Sequence, residues 1–257
     1  MLNCQFSGLS DIGTNRKKNE DYISVVSLDK NNTLAIVADG TGSMDNLPQP
    51  AHIAVNEIVN VLKREFAEDK SIFKDNSEIF IKEAFLTANS VLCALKVANE
   101  ELYSGFAVSA SCCFISDENR ITIIHCGNTR VYRIRKSADN KADIRQITTD
   151  HTKAQKKLLR KEITYEEYHM DPERLIMTSG LGIVAEPEIQ TITIDIRPKD
   201  IIFLSTDGVH NAIKIDSLNE LIIQSANCDE AAKSLIKGAK MLKYPDDASV
   251  IVMFVDE

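Results

Sequence analysis

Six acidic residues stand where an apolar run ends or is about to begin: Glu20, Asp21, Asp39, Asp207, Asp246 and Asp247. Singly, each reads as a solvated surface group, and Asp39-Gly40 alone reads as a hairpin turn. The apolar runs they flank must pack in one core, however, and strand ends on one side of a packed sheet lie near each other. Carboxylates brought together repel unless a cation neutralises them. An oxygen-only ligand set suits magnesium, manganese or calcium, and the Asp-x-Asp-x-Asp-Gly spacing of a calcium-binding helix-loop-helix is absent. A carboxylate-bridged pair of divalent ions, about 3.5–4 Å apart, activates water and clamps both ends of an in-line phosphoryl displacement. Arg16, four residues before Glu20, adds a guanidinium suited to bidentate phosphate binding. The expected chemistry is hydrolysis of a phosphate ester without a covalent intermediate.

Strands and helices must bring these residues together. Residues 4–9, 21–28 and 34–38 have strand character and form an opening β-meander, with a polar, charged loop over 10–21. The third strand is expected to stop at Asp39, with Gly40 supplying a permissive backbone and an unshielded carbonyl. Apolar residues at helical spacing predict helices over 52–66 and 77–102. Four strands follow, over 106–115, 121–126, 131–135 and 144–148. Residues 151–182 are irregular, as a lid or specificity element is. The basic cluster within them, Lys153 to Lys161, reads as a solvated helix face. A strand over 189–196 and a buried apolar run from Ile201 lead to Asp207-Gly208, an echo of Asp39-Gly40. Helices over 217–225 and 229–242 precede a last strand over 248–255. No linker divides the chain, so residues 1–257 are expected to form one domain.

Composition narrows the function classes. With 44% hydrophobic and 26% charged residues the chain is an ordinary globular protein, and its net charge of -8 argues against a general nucleic-acid or anionic-membrane surface. No apolar run reaches the roughly 18 residues needed to span a bilayer, and the amino terminus lacks the pattern of a secretory leader, so a cytoplasmic protein is expected. The six cysteines show no Cys-x-x-Cys spacing and read as buried thiols, not as zinc ligands or disulfides.

Seven segments stand in a telling order: Ser10-Asp-Ile-Gly-x-x-Arg16-x-x-Asn-Glu20-Asp21, Val37-Ala-Asp39-Gly40-x-Gly42, Cys126-Gly-Asn128-Thr-Arg130-Val-Tyr132, Ile147-Thr-Thr-Asp150-His151-Thr, Met177-Thr-Ser-Gly-Leu-Gly182, Leu204-Ser-Thr-Asp207-Gly208 and Asp246-Asp247-Ala-Ser249. In this order, over about residues 5–255, the chain resembles the metal-dependent serine/threonine phosphatases of the protein phosphatase 2C family. The resemblance implies an α+β fold, a four-layer α-β-β-α sandwich of two antiparallel sheets flanked by helix pairs, with Mn2+ or Mg2+ in a cleft at one end. Asp39 would bridge two ions, Glu20 and the Gly40 carbonyl would complete one, and Asp207 with Asp246 would hold the other. Arg16 would bind phosphate, Asp21 would support the ligands from behind, and residues 151–182 would be the family's flap. The implied partners are a phosphoprotein substrate and a cognate serine/threonine kinase, and the implied form is a stand-alone monomer.

The chain also departs from the family pattern. Asn128 stands where a third-metal Asp is usual, which weakens a third site. Asp247 replaces an Asn, adding charge beside the metals. Ser109-Ala-Ser111 replaces a Gly-Thr-Thr type segment. Thr41, Gly42 and Ser43 follow Gly40, and Thr41 is a poor general acid near neutral pH, so the proton donor to the leaving group has no name. These departures keep two other readings in view: a phosphatase-like binding module with little turnover, and a phosphoesterase of small molecules. Among the histidines, His52 and His125 are expected in the core and His151 in a structural loop.

Overall fold

The computed structural model describes residues 2–42, 47–116, 118–136 and 142–256. It opens with strands β1 (Cys4–Asp11), β2 (Asp21–Ser27) and β3 (Thr33–Thr41), then helices α1 (Pro50–Glu68), α2 (Lys70–Asp75), α3 (Ser77–Ala98) and α4 (Glu100–Tyr103). Strands β4 (Ala107–Ile115), β5 (Arg120–Cys126), β6 (Arg130–Lys136) and β7 (Ala142–Gln146) lead into helices α5 (Lys153–Leu159) and α6 (Tyr165–Met170) and a 3-10 turn at Pro172–Leu175. Strands β8 (Gln190–Asp195) and β9 (Ile201–Ser205), helices α7 (Asp207–His210), α8 (Ile215–Ile223) and α9 (Cys228–Met241), and strand β10 (Ala248–Val255) complete it.

The strands form two five-stranded antiparallel sheets, one ordered β1-β10-β9-β6-β7 and the other β2-β3-β4-β5-β8. Strand alternation sorts the apolar residues into separate layers. On β3, Leu34, Ile36 and Ala38 face α1 and α3 together with Ile58, Leu62 and Phe85. On the other sheet, Phe203, Val250 and Val252 face α8 and α9 with Leu235 and Ile222. The opposite parity, Ala35 and Val37 on β3, Ile123 on β5, Leu204 on β9 and Ile251 on β10, fills the space between the sheets. The result is the expected four-layer order. Among the described residues no helix is long and apolar enough to cross a membrane.

The layer between the sheets changes character along its length. Continuing the inward parity toward one end gives Asp39 after Val37, Asp21 before Ile23, Ser109 and Ser111 before Cys113, His125 after Ile123, Thr206 after Leu204 and Ser249 before Ile251. Except for Asp39, which is partly exposed, these polar residues are buried. Apolar burial in the middle of the sandwich fixes the register, and that register carries polar side chains into one end of the same interlayer.

Several local expectations need correction. β3 does not stop at Asp39: it runs on to Thr41, with Asp39 opposite Ser109 and Gly40 opposite Val108. Gly40 is not among the positive-φ residues. Glycine is needed there for space, since a Cβ would lie 3.0 Å from Ala51 of α1 and 3.0 Å from the Glu20 carbonyl oxygen. The helix expected over 77–102 breaks at Asn99, whose side chain accepts from Leu102 N at 3.1 Å and caps α4. Asp207-Gly208, the echo of Asp39-Gly40, differs from it by opening the short helix α7. His52 is exposed, edge-on to Tyr22 at 4.5 Å, because it falls on the outer side of α1. His125 is fully buried, as expected, and His151, expected in a structural loop, is nearly so.

Candidate metal centre and phosphate site

Two neighbouring strands place the first pair of carboxylates. Antiparallel pairing sets Asp21 of β2 opposite Asp39 of β3, both on the interlayer side. Like charges directly opposite destabilise a ladder unless something neutralises them. Asp21 is buried and accepts a hydrogen bond from Thr206 Oγ1 of the other sheet at 2.8 Å. Its own N–H donates to Asn19 Oδ1 at 3.0 Å. The Gly40 N–H donates to the Glu20 carbonyl at 3.2 Å, tying the start of β2 to the end of β3.

The second sheet supplies Asp207, at the start of α7 just past β9, and Asp246, in the turn before β10. Asp207 Oδ2 accepts from Asn128 Nδ2 and from Asn211 Nδ2, each at 3.3 Å. Asp207 Oδ1 and Asn128 Oδ1 are buried without a hydrogen-bond partner among the described residues. The Asn128 backbone is fixed by a tight turn. Gly127 at φ +112 lies against Ser109, whose Oγ accepts from Asn128 N at 2.8 Å and Thr129 N at 2.7 Å.

Arg16 joins the two sides. Its Nη1 lies 3.3 Å from Glu20 Oε2, and its Nη2 is hydrogen-bonded to Asp246 Oδ1. Arg16 and Asp246 are partly exposed, at 39% and 31% of their side chains, so the guanidinium sits at the mouth of the cluster. Asp247, next in the chain, turns inward and accepts backbone N–H bonds from Gly13 and Glu20.

The electrostatics match this crowding. Burial, then the charges of Asp207, Asp21 and Asp246, hold the Asp39 carboxyl well above the usual carboxylate range, with Arg16 opposing. Burial, together with Asp247 and Asp207, pushes Asp21 up to about 8 despite hydrogen bonds from Ser249 and Thr206. Burial and Asp246 raise Asp207 to about 7. Groups this reluctant to ionise accept a cation in place of the proton. Among the described residues no three His, Cys, Asp or Glu side chains close on a single point as ready ligands; Glu20 and Asp246 hold the Arg16 guanidinium. The donor chemistry nevertheless fits a hard divalent ion: carboxylates without thiolate or imidazole, and a buried Asp207 Oδ1 left open.

The residues singled out in the sequence therefore gather at one end of the sandwich. Arg16, Glu20, Asp21, Asp39, Gly40, Asn128, Asp207, Asp246 and Asp247 are linked by the pairings and contacts just described. Thr41 is exposed at the strand end, and Ser43 lies outside the described residues. Sequence reasoning missed three contributors. Thr206 anchors Asp21, Asn211 holds Asp207, and Arg174 from the 3-10 turn bonds to Asn211 Oδ1. Arg174 gives no periodic or spacing signal, since it reaches the site from a turn. Asn211 could have been found as the residue four after Asp207, one helical turn along.

Other motif residues serve the fold. Arg130 and Asp150, from two different segments, form a buried ion pair with N–O distances of 2.7 to 3.1 Å. The His151 N–H donates to the Gly127 carbonyl at 2.7 Å, and His151 Nδ1 accepts from Gly127 N at 3.1 Å. Lys157 of the basic cluster is bound to Asp171 and Glu173, so that cluster is a paired helix face.

Comparison with known proteins points the same way. A family profile described as Protein phosphatase 2C matches residues 10–242. Protein phosphatase PhpP of Streptococcus pneumoniae is 22% identical over 264 aligned positions that cover 98% of each chain. The serine/threonine phosphatase Stp1 from Staphylococcus aureus has a TM-score of 0.85 and 23% identity, with coverage of 100% of this chain and 96% of that one. The catalytic domain of the phosphatase PstP, solved in complex with 2 manganese ions, has a TM-score of 0.78 and 23% identity over 100% of both chains. Likeness at such identity establishes the fold, and the profile match spans most of the sequence. The chain belongs to the protein phosphatase 2C family.

Proposed function

We propose that this protein is a metal-dependent phosphatase that hydrolyses phosphoserine and phosphothreonine esters of proteins. The observation that carries the reading is the set of carboxylates from both sheets, Asp21, Asp39 and Asp207, held at elevated pKa beside an exposed arginine. Asp39, Glu20, the Gly40 carbonyl, Asp207 and Asp246 are the residues that would hold two Mn2+ or Mg2+ ions. When bound, such ions lower the pKa of water and offset the charge of the transferring phosphoryl group. Arg16, at the mouth, binds and orients the phosphate through its fork of N–H donors. Asn128 and Asn211 orient Asp207, and Thr206 orients Asp21. Asn128 is a neutral ligand where a carboxylate would be stronger, so two ions are the expected complement.

The partners follow from the chemistry. Substrates are phosphoproteins, which a cognate serine/threonine kinase supplies. One chain brings together every residue named, consistent with a monomer. Six cysteines without a disulfide fit a reducing compartment such as the cytoplasm. The test is phosphate release from a phosphoserine peptide with Mn2+, run on the wild type, Asp39→Asn and Asn128→Asp. Turnover by the wild type and its loss in Asp39→Asn are expected; equal background release by the two would overturn the reading. Little gain in Asn128→Asp would show that a carboxylate at that position does not limit the reaction.

A further inference from the structure

Asp247 is 3% exposed, and both of its carboxylate oxygens are spent on backbone. Oδ1 accepts from Gly13 N at 2.8 Å and Oδ2 accepts from Glu20 N at 2.8 Å. Those two peptide groups bracket the loop that carries Arg16. Gly13 nests against the turn beside Asp247, where a Cβ would lie 2.4 Å from the Pro245 carbonyl oxygen. The Gly13 carbonyl in turn accepts from Arg16 N at 3.1 Å. Arg16 then reaches back to Asp246, the residue next to the clamp. Glu20, held by its N–H, passes the constraint on, because its carbonyl accepts from Gly40 N at 3.2 Å.

The residue type follows from this geometry. Two convergent N–H donors need two acceptor oxygens, and a carboxylate offers both. An asparagine offers one, and would turn its amide N–H2 toward the second donor. A buried N–H left facing another donor loses its bond and keeps its desolvation cost.

We propose that Asp247 is a positioning residue that clamps both ends of loop 13–20 and so sets Arg16 in place for the substrate phosphate. The inference rests on the reading of Arg16 as the phosphate-binding group. It predicts an effect on phosphate binding that passes through Arg16, which a general role in stability would not produce.

The test is a double-mutant cycle of Asp247→Asn with Arg16→Ala, with circular dichroism to establish folding. Two quantities are measured: KM for a phosphoserine peptide and the inhibition constant of inorganic phosphate. In the Arg16 background Asp247→Asn should raise both about tenfold, the loss expected of one buried hydrogen bond, with kcat changed less than KM. In the Arg16→Ala background the same change should alter both less than about twofold. Unchanged constants in folded Asp247→Asn, or an equal rise in both backgrounds, would overturn the proposal. Should Asp247→Asn not fold, Asp247→Ser, which keeps one acceptor and no amide, goes through the same cycle. Failure of both to fold would also overturn it, since Asp247 would then serve the fold. A wild type without turnover sinks the phosphatase reading itself, whereas an active wild type with an insensitive Asp247 sinks only this inference.

Discussion

Two clusters of charge are tucked into this sandwich, and they are built on opposite principles. Around Arg130 every charge is answered. Its Nε and Nη2 bond Asp150, its Nη1 bonds Tyr132 Oη at 3.2 Å, and Tyr168 Oη joins both partners at 3.0 Å. Around Asp39 the charges are alike. Asp207 and Asp21 repel it, and Arg16 stands at the rim. Satisfied buried charge is a structural element, here pinning α6, which carries Tyr168, to β6. Unsatisfied buried charge costs stability, and it persists where a ligand of the opposite sign completes it.

The widest separation between the clusters is expected from Asp39→Asn. Turnover should fall by about 10^3 to 10^4, corresponding to the several kcal/mol that divalent ions supply to phosphoryl transfer. Metal-free melting temperature should rise in the same variant, because a carboxylate that resists ionisation has been removed; a fall in both would break the contrast. Arg130→Met should do the reverse. Stranding Asp150 costs about 3–5 kcal/mol, seen as a melting temperature lower by roughly 10 °C in calorimetry.

Metal-free stability should also depend on pH. Asp21, raised to about 8, and Asp207, raised to about 7, bind protons more tightly folded than unfolded. Their contribution is therefore fully present below the ordinary carboxylate pKa and is lost as pH climbs through the folded values. Thermal melts without metal should show stability falling between about pH 4 and pH 8, and the gain in melting temperature on adding Mn2+ should grow across that window, since ion and proton compete. A flat profile would mean that the cluster is neutralised from within. The smallest effect belongs to Asn211→Ala, which takes one of two amides from Asp207 Oδ2. Mn2+ affinity, read by calorimetry, should weaken about tenfold, as for other residues that orient a ligand.

Much of the site could be read in the sequence because period-two alternation does most of the placing. Once Val37 and Ile251 must face the same interlayer, Asp39 and the turn before β10 are bound to the same end. The same logic misled at Asp39-Gly40. Strand pairing with Ser109 and Val108 carries β3 beyond the point where apolar residues stop, and no apolar signal marks that extension. Sequence alone suggests backbone freedom for glycine at 40, but the reason is the close approach of α1, a tertiary contact. Arg130 and Asp150 stand in ordered motifs of the sequence just as Arg16 and Glu20 do. Only their pairing distances separate them, and distances between segments 20 residues apart are not written in spacing. Arg174 reaches the site from a 3-10 turn through one side chain, which no periodicity predicts.

Unanswered carboxylates at one end of the sandwich should act as a centre for divalent ions. Titration calorimetry of the wild type, Asp39→Asn and Arg130→Met with Mn2+ tests it directly. Two ions per chain are predicted for the wild type and for folded Arg130→Met, with binding lost or reduced to one weak ion in Asp39→Asn. A wild type that takes up no Mn2+, or an Asp39→Asn variant that binds it with unchanged stoichiometry and affinity, would contradict it.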